Sequence, residues 1–238
     1  MVDQTVNSID KFQNNPHWNN HYYAFYLGPA LVISINMEVY VDTYNYLFKN
    51  TTLQHDQETW LIDRLREANK PEARKKHPWI IVFGHQPLYC SSSRQDGSCT
   101  TDAEQTRDGL EDIFYRWGVD IVIGAHIHNY EREYPMYKGK RAVQSYEDPY
   151  RNPKGPVYIV SGAGGCPEKI DVQFFPRPDW NAFADSQFGY GILEIVNRTT
   201  VVYQQKAIIY DCTCDYPLQV IDQVEIVQEH HGPFAKFE

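Results

Sequence analysis

The sequence contains no apolar run near the roughly 20 residues that a helix needs to cross a bilayer. Residues 30–35 form one of its longer runs. The amino terminus, MVDQTVNSID, has neither the basic start nor the apolar stretch of a signal peptide. Positive charge is also scarce, since 22 Lys and Arg face 31 Asp and Glu for a net charge of −9. An acidic chain repels phosphate backbones, so the sequence argues against a nucleic-acid partner. The lack of a long apolar run argues against a membrane partner.

Cysteine is infrequent, and its five copies cannot all pair within the chain. Cys90 and Cys99 lie in one loop-like stretch and are close enough to form a disulfide bond without a long closure. Two Asn-x-Thr triplets, at Asn50 and Asn197, match the acceptor pattern for N-glycosylation. Together these features predict a secreted, lysosomal or extracellular protein whose signal lies outside this chain.

The apolar pattern predicts an α/β fold with a mixed sheet, because short buried strands alternate with amphipathic helices. Leu110, Ile113, Phe114 and Trp117 recur at helical spacing and Gly118 follows as a helix end. Helices are predicted at about residues 54–68 and 102–117. Strands are predicted within 22–36 (two, around Leu27-Gly28-Pro29), at 79–83, 120–123 and 156–160, and in a hairpin of 189–196 with 199–205.

Histidines follow two of these buried strands directly. His85 comes after residues 79–83, and His126 and His128 come after residues 120–123. Ligands of open α/β sheets gather beyond the carboxyl ends of the strands. In extended chain, residues two apart point the same way, so three imidazoles can converge on a transition metal such as zinc or iron. On spacing alone, incidental surface histidines explain the pattern equally well.

The flanking residues resemble the purple acid phosphatases, in the animal form, of the calcineurin-like metallophosphoesterase superfamily. Residues 82–90, VFGHQPLYC, are similar to the family's Val-x-x-His motif, and residues 125–132, AHIHNYER, to its His-x-His motif. Residues 23–29, 162–168, 174–178 and 188–191 resemble other family stretches, in the same order. The resemblance extends over nearly the whole chain.

The resemblance implies a phosphate monoesterase that works at acid pH with iron and a second metal, either zinc, iron or manganese. It assigns His85 and His126 to the second metal and His128 to the iron. Metal ions neutralise phosphate oxygens and acidify a bound water, so no protein nucleophile is required. The resemblance also points to residues that support the metal ligands or only the fold, namely Gly84, Asn129, Tyr130, Glu131 and Arg132. For Tyr130, Glu131 and Arg132, contact with the substrate is the alternative.

The resemblance also implies an α/β sandwich of two mixed sheets flanked by helices. Residues 1–238 would be the carboxyl-terminal part of one such domain, with a closing hairpin region at about 189–228 and the amino-terminal strands missing. The family's Gly-Asp-x-Gly, Gly-Asp-x-x-Tyr and Gly-Asn-His-Glu/Asp motifs do not occur in the sequence, which lacks four of the seven expected ligands. No general acid can be named either, because residues 91–101 contain no His.

Three functions remain open on these grounds. The first is an acid phosphatase acting on a small phosphorylated substrate, with its site incomplete in this chain. The second is a non-catalytic, phosphatase-like fragment or pseudoenzyme, which the missing ligands favour. The third is a mononuclear zinc hydrolase that uses His85, His126 and His128.

Overall fold

The structure is a computed structural model that describes residues 20–48, 51–92, 96–165, 167, 169–172, 176–209 and 217–237. Its helices are α1 (Asn45–Phe48), α2 (Leu53–Ala68), α3 (Pro71–Lys76) and α4 (Ala103–Trp117). Its strands are β1 (Tyr23–Leu27), β2 (Ala30–Ser34), β3 (Trp79–Phe83), β4 (Ile121–Gly124), β5 (Tyr130–Tyr137), β6 (Lys140–Arg141), β7 (Val157–Ser161), β8 (Asn181–Asp185), β9 (Gly189–Ile195), β10 (Thr200–Ile208) and β11 (Leu218–Val227).

The described strands form two sheets. The larger has the order β1-β2-β3-β4-β7-β5-β6, with β8 also paired to β5. Strands β2, β3, β4 and β7 are parallel, whereas β1 and β5 pair antiparallel at either side of them, so the sheet is mixed as predicted. The smaller sheet, β11-β10-β9, is antiparallel at both of its pairings, and in this it differs from the expected second mixed sheet.

The two predicted long helices are confirmed as α2 and α4. Leu61 and Leu65 of α2 are fully buried, because they lie one turn apart on the face that packs on the sheet. The helix ends at Ala68, and Pro71 then begins α3, since a proline is tolerated in the first turn, where no backbone donor is needed. Strands β5, β6, β8 and β11 were not predicted as separate elements from the sequence.

Apolar side chains form two main clusters, one on each face of the larger sheet. Ile33 and Ile80 pack with Leu61, Leu110 and Phe114 beneath helices α2 and α4. The other cluster lies between the sheets, where alternate residues of β10 and β11 pack on the larger sheet, as the period of two requires. It includes Trp79, Ile121, Val157, Tyr203 and Ile226. No helix in the described part of the chain has the length and apolar character required to cross a membrane.

Candidate metal centre

His85 and His126 meet where the parallel strands β3 and β4 end. His85 Nε2 lies 2.9 Å from His126 Nδ1, and the two rings are nearly perpendicular with centroids 4.8 Å apart. The amide of Ala125 donates to the carbonyl of His85 at 2.8 Å, so the two loops are tied together beside the imidazoles. The His85 side chain is 56% exposed, which leaves the pair open to a small ligand.

The backbone at His126 has a φ of 58°, in the left-handed region that residues other than glycine seldom adopt. The amide of Ile127 donates to the carbonyl of Ala125 at 2.6 Å, which marks a tight turn on either side of this residue. The segment is therefore not the extended chain that the sequence predicted. The second ring nitrogen of His126, Nε2, lies 3.0 Å from Ser98 Oγ.

His128 is held through its backbone by Asp171. Its amide donates to Asp171 Oδ2 at 2.8 Å, and its carbonyl accepts from the Asp171 amide at 3.0 Å. Within the described residues, no group of three or more His, Cys, Asp or Glu side chains is placed to hold a metal ion. The structure thus brings two of the three predicted imidazoles together, and the assignment of all three as ligands stays a prediction.

Gly162 allows the end of β7 to approach the loop after β4, which contains His126 and His128. A Cβ at Gly162 would lie 1.8 Å from the carbonyl oxygen of Ile127, so only a residue without a side chain fits there. The Gly162 amide donates to the carbonyl of Asn129 at 3.0 Å. The first glycine of the run at residues 162–165 therefore serves close backbone packing against the loop that contains His126 and His128.

A cavity of about 360 Å³ opens beside His85, at the ends of β2 and β3. Within it, Asn36 Nδ2 lies 3.0 Å from His21 Nδ1. Glu38 follows shortly after, with its Oε1 4.0 Å from His85 Nε2. These three residues were not predicted as site residues from the sequence. Asn36 and Glu38 could have been found, because they follow β2, whose parallel neighbour β3 leads into His85.

Gly84 and Asn129 lie at the turns that follow the strands. The Gly84 amide donates to the carbonyl of Ile123 at 3.1 Å, and Gly84 lines the cavity. Asn129 is fully buried and donates to Glu131 Oε1 at 2.8 Å. Both residues therefore hold the loops in place through these hydrogen bonds, and their role toward a ligand stays a prediction.

Glu131 forms hydrogen bonds with Ser91, at the start of the loop between Cys90 and Cys99. Its Oε2 accepts from the Ser91 amide at 2.6 Å and from the Ser91 hydroxyl at 2.5 Å. Burial raises the pKa of Glu131, and these hydrogen bonds, with the one from Asn129, counteract that rise. The residue is fully buried and supports folding.

Tyr130 and Arg132 connect the two sheets. The Tyr130 hydroxyl donates to Asp222 Oδ2 at 2.6 Å, and Arg132 pairs with both oxygens of the same carboxylate at 2.7 and 2.8 Å. Burial raises the pKa of Tyr130, and the charge of Asp222 raises it further. Both residues therefore contribute to the packing of the two sheets, and a role toward a ligand or substrate stays a prediction.

Cys90 and Cys99 form the predicted disulfide, with their Cα atoms 5.5 Å apart. Asn197 is exposed in the turn between β9 and β10, where its Oδ1 accepts from the Thr199 amide at 2.8 Å. Several residues singled out in the sequence lie outside the described residues, namely Asn50, Cys166, Glu168, Phe174, Phe175, Cys212 and Cys214.

The imidazole pair fits one transition-metal ion. Two imidazole nitrogens bound at about 2.0–2.1 Å to one tetrahedral zinc ion lie about 3.3–3.4 Å apart, so the pair at 2.9 Å needs only a small separation to bind the same ion. A two-metal centre also needs carboxylates that balance its charge and bridge the ions. Since no three-residue group is in place among the described residues, they offer two imidazoles toward one ion and do not form a two-metal centre.

Comparisons with known proteins agree with the resemblance. Residues 3–130, over half of the chain, match the calcineurin-like phosphoesterase family, and residues 155–213 match the family described as iron/zinc purple acid phosphatase-like protein C. Acid phosphatase type 7 of Danio rerio is 41% identical over 225 residues, a match that covers 90% of this chain and 48% of the relative. The Homo sapiens protein of the same name is 38% identical over 219 residues, covering 89% of this chain and 47% of the relative.

A solved structure shows the same fold. The purple acid phosphatase isolated from yellow lupin (Lupinus luteus) seeds superposes with a TM-score of 0.69 at 21% identity, covering 90% of this chain and 34% of that chain. The chain spans about half the length of the curated relatives it matches. By these matches the chain belongs to the calcineurin-like phosphoesterase family and is purple acid phosphatase-like.

Proposed function

We propose that this chain is part of an acid phosphatase that hydrolyses phosphate monoesters at a centre of iron and a second divalent metal. The observation that carries the proposal is the 2.9 Å approach of His85 Nε2 to His126 Nδ1 at the ends of parallel strands. In such a centre, bound metal ions would neutralise the phosphate oxygens and acidify a water. His85 and His126 would hold one ion and His128 the iron.

The bridging carboxylate that a two-metal centre needs would have to come from outside the described residues. The exposure of His85 gives a small phosphorylated substrate direct access to the imidazole pair. The loops that present the pair are fastened from behind by the Glu131–Ser91 contacts and by the Cys90–Cys99 disulfide. This support would keep the imidazoles in place when an ion binds.

A secreted, lysosomal or extracellular location forms part of the proposal. The Cys90–Cys99 disulfide supports it, because such bonds persist in oxidising compartments. The exposed turn position of Asn197 is suited to carry a glycan.

The proposal is tested by metal content and phosphatase activity measured on the same samples. The 238-residue chain is purified with iron and zinc present, assayed for bound metal by mass spectrometry, and assayed for p-nitrophenyl phosphate hydrolysis at acid pH. We expect His85→Ala/His126→Ala to lose both metal and activity. The exposed His55 of α2 provides the control, and His55→Ala should retain both.

A non-catalytic, phosphatase-like function is the second candidate. The absence of a three-residue metal group within the described ranges favours it. Metal binding without hydrolysis would support this candidate and overturn phosphatase activity of the 238-residue chain. A wild-type chain without bound metal or turnover would overturn both the activity and the metal site.

A further inference from the structure

Glu38 contains a buried carboxylate oxygen that no hydrogen bond satisfies. The residue opens the short 3-10 turn Glu38–Tyr40, four positions after the end of β2, and its side chain is 19% exposed. Its Oε2 accepts from Gln86 Nε2 at 3.0 Å. Its Oε1 is buried without a hydrogen-bond partner in the part of the chain that the structure describes. Buried polar atoms are nearly always paired, so this oxygen requires an explanation.

The unpaired oxygen lies next to the imidazole pair. Glu38 Oε1 is 4.0 Å from His85 Nε2, too far for a hydrogen bond, and the same nitrogen lies 2.9 Å from His126 Nδ1. The carboxylate and the second imidazole therefore both lie close to one nitrogen of His85. A carboxylate in this position gains most from a positive charge placed between the three groups.

The distances are compatible with a shared ion. When bonds to the metal are about 2.0–2.2 Å, two ligand atoms on one tetrahedral ion lie about 3.3–3.6 Å apart. The separations of 2.9 Å and 4.0 Å lie on either side of this range, so shifts smaller than about 1 Å would bring all three atoms to one ion. Two histidines and a glutamate are also an established zinc ligand set.

The backbone and one oxygen of Glu38 are held in place. Its amide donates to Asn36 Oδ1 at 2.9 Å, and the fully buried Gln86 holds Oε2. Gln86 directly follows His85 in the sequence, so the carboxylate and the imidazole are positioned by the same loop. This arrangement leaves Oε1 as the atom that can turn toward a ligand.

We propose that Glu38 is a carboxylate ligand that completes, with His85 and His126, a site for a divalent transition metal such as zinc. The proposal rests on the proposed function for the two histidines and adds a ligand to them. The three side chains are not held as a ready-made group, so ion binding draws Glu38 Oε1 inward by a small displacement. The carboxylate supplies the negative charge that the two neutral imidazoles lack.

The test is a titration of the metal-free 238-residue chain with Co²⁺, followed by visible absorption, with Zn²⁺ competition against a chelating dye. Glu38→Gln keeps the volume and a partner for Gln86 but removes the charge. We expect this variant to bind both ions more than tenfold more weakly than wild type. The matched control is Glu67→Gln on α2, where an exposed carboxylate pairs with Lys70, and its affinity should equal that of wild type.

The outcomes separate this inference from the proposed function. Wild-type affinity in Glu38→Gln, together with lost binding in His85→Ala/His126→Ala, would overturn the role of Glu38 and leave the histidine site standing. A wild-type chain that binds neither ion would overturn both. Thermal unfolding of each metal-free variant checks that it is folded. If Glu38→Gln is unfolded, Glu38→Asp replaces it in the test. This variant moves the charge back by one methylene and should also weaken metal binding.

Discussion

At the scale of single residues, the most unusual feature outside the metal site is a pair of buried carboxyl groups. Glu131 and Glu133 lie two apart on β5 and are both fully buried. The side-chain amide of Asn181 donates to Glu131 Oε2 at 3.2 Å and to Glu133 Oε2 at 3.1 Å. Burial, followed by the charge of Glu131, raises the pKa of Glu133 well above its ordinary value.

This raised pKa predicts a stability that falls as pH rises. Folded Glu133 retains a proton at pH values where an unfolded glutamate, with a pKa of about 4.3, has lost it. Its contribution is therefore complete below about pH 4.3 and is lost as the pH rises through the folded pKa. We expect Glu133→Gln, which cannot ionise, to lose less unfolding free energy than wild type between acid and neutral pH, measured by urea denaturation.

An exposed glutamate on β11 provides the control. Glu225→Gln should reproduce the wild-type dependence on pH, because the Glu225 side chain is exposed. If the unfolding free energies of Glu133→Gln and wild type fall in parallel over the same pH range, the buried carboxyl group is not the source of the effect.

At the scale of elements, helix α4 shows how the sequence determines both the face and the end of a helix. Leu110 and Phe114 of the predicted stripe are fully buried, and Ile113 and Trp117 pack partly buried against the same cluster. Gly118 ends the helix with a φ of 63°, and its amide donates to the carbonyl of Tyr115 at 3.3 Å. The predicted helix and its glycine end are thus confirmed.

Gly118 is also in close contact with a distant part of the chain. A Cβ at this position would lie 2.0 Å from the carbonyl oxygen of Gly232, a backbone atom that cannot move aside without shifting its segment. We therefore expect Gly118→Ala to lower the free energy of unfolding by more than the about 1–2 kcal/mol of left-handed strain alone. Chemical denaturation monitored by tryptophan fluorescence measures the loss.

Gly139 isolates the strain from the clash. Its φ is 69°, but a Cβ there would meet open space. Gly139→Ala should therefore show only the left-handed strain. Equal losses in the two alanine variants would contradict a role for the contact with Gly232.

At the scale of the whole molecule, the two sheets are joined by charge as well as by apolar packing. Arg132 of β5 forms a two-pronged ion pair with Asp222 of β11, and both side chains are nearly buried. Arg132 also donates to the Tyr150 hydroxyl at 2.5 Å. These contacts link segments about ninety positions apart in the chain.

Removal of the arginine should destabilise the molecule strongly, because Asp222 would be left buried and uncompensated. We expect Arg132→Met to lower the free energy of unfolding by about 3–5 kcal/mol in urea denaturation. In the double variant Arg132→Met/Asp222→Leu, which removes both charges, much of the loss should be recovered.

Arg151 serves as the surface comparison, since its side chain is 49% exposed in its pair with Asp148. Arg151→Met should cost no more than about 1 kcal/mol. A loss in Arg132→Met as small as that in Arg151→Met would show that the sheets are held by apolar packing alone.

Local patterns explain which features could be predicted. The strands at residues 79–83 and 120–123 were predictable because a short apolar run, ended by Gly-His or Gly-Ala-His, is typical of a buried strand. The disulfide between Cys90 and Cys99 was predictable from their short separation. Strand β5 was not predicted, because its charged residues, Glu131, Arg132 and Glu133, conceal a buried strand whose partners are distant in sequence.

The sequence by itself determined the fold class, the family and the placement of His85, His126 and His128 at strand ends, since each depends on neighbouring residues or on an ordered set of motifs. Only the tertiary structure decided that His85 meets His126, that Glu38 lies beside them, and that Arg132 pairs with Asp222. These contacts join residues 41, 47 and 90 positions apart. Which distant side chains meet depends on sheet order and loop conformation, and no local pattern in the chain records either.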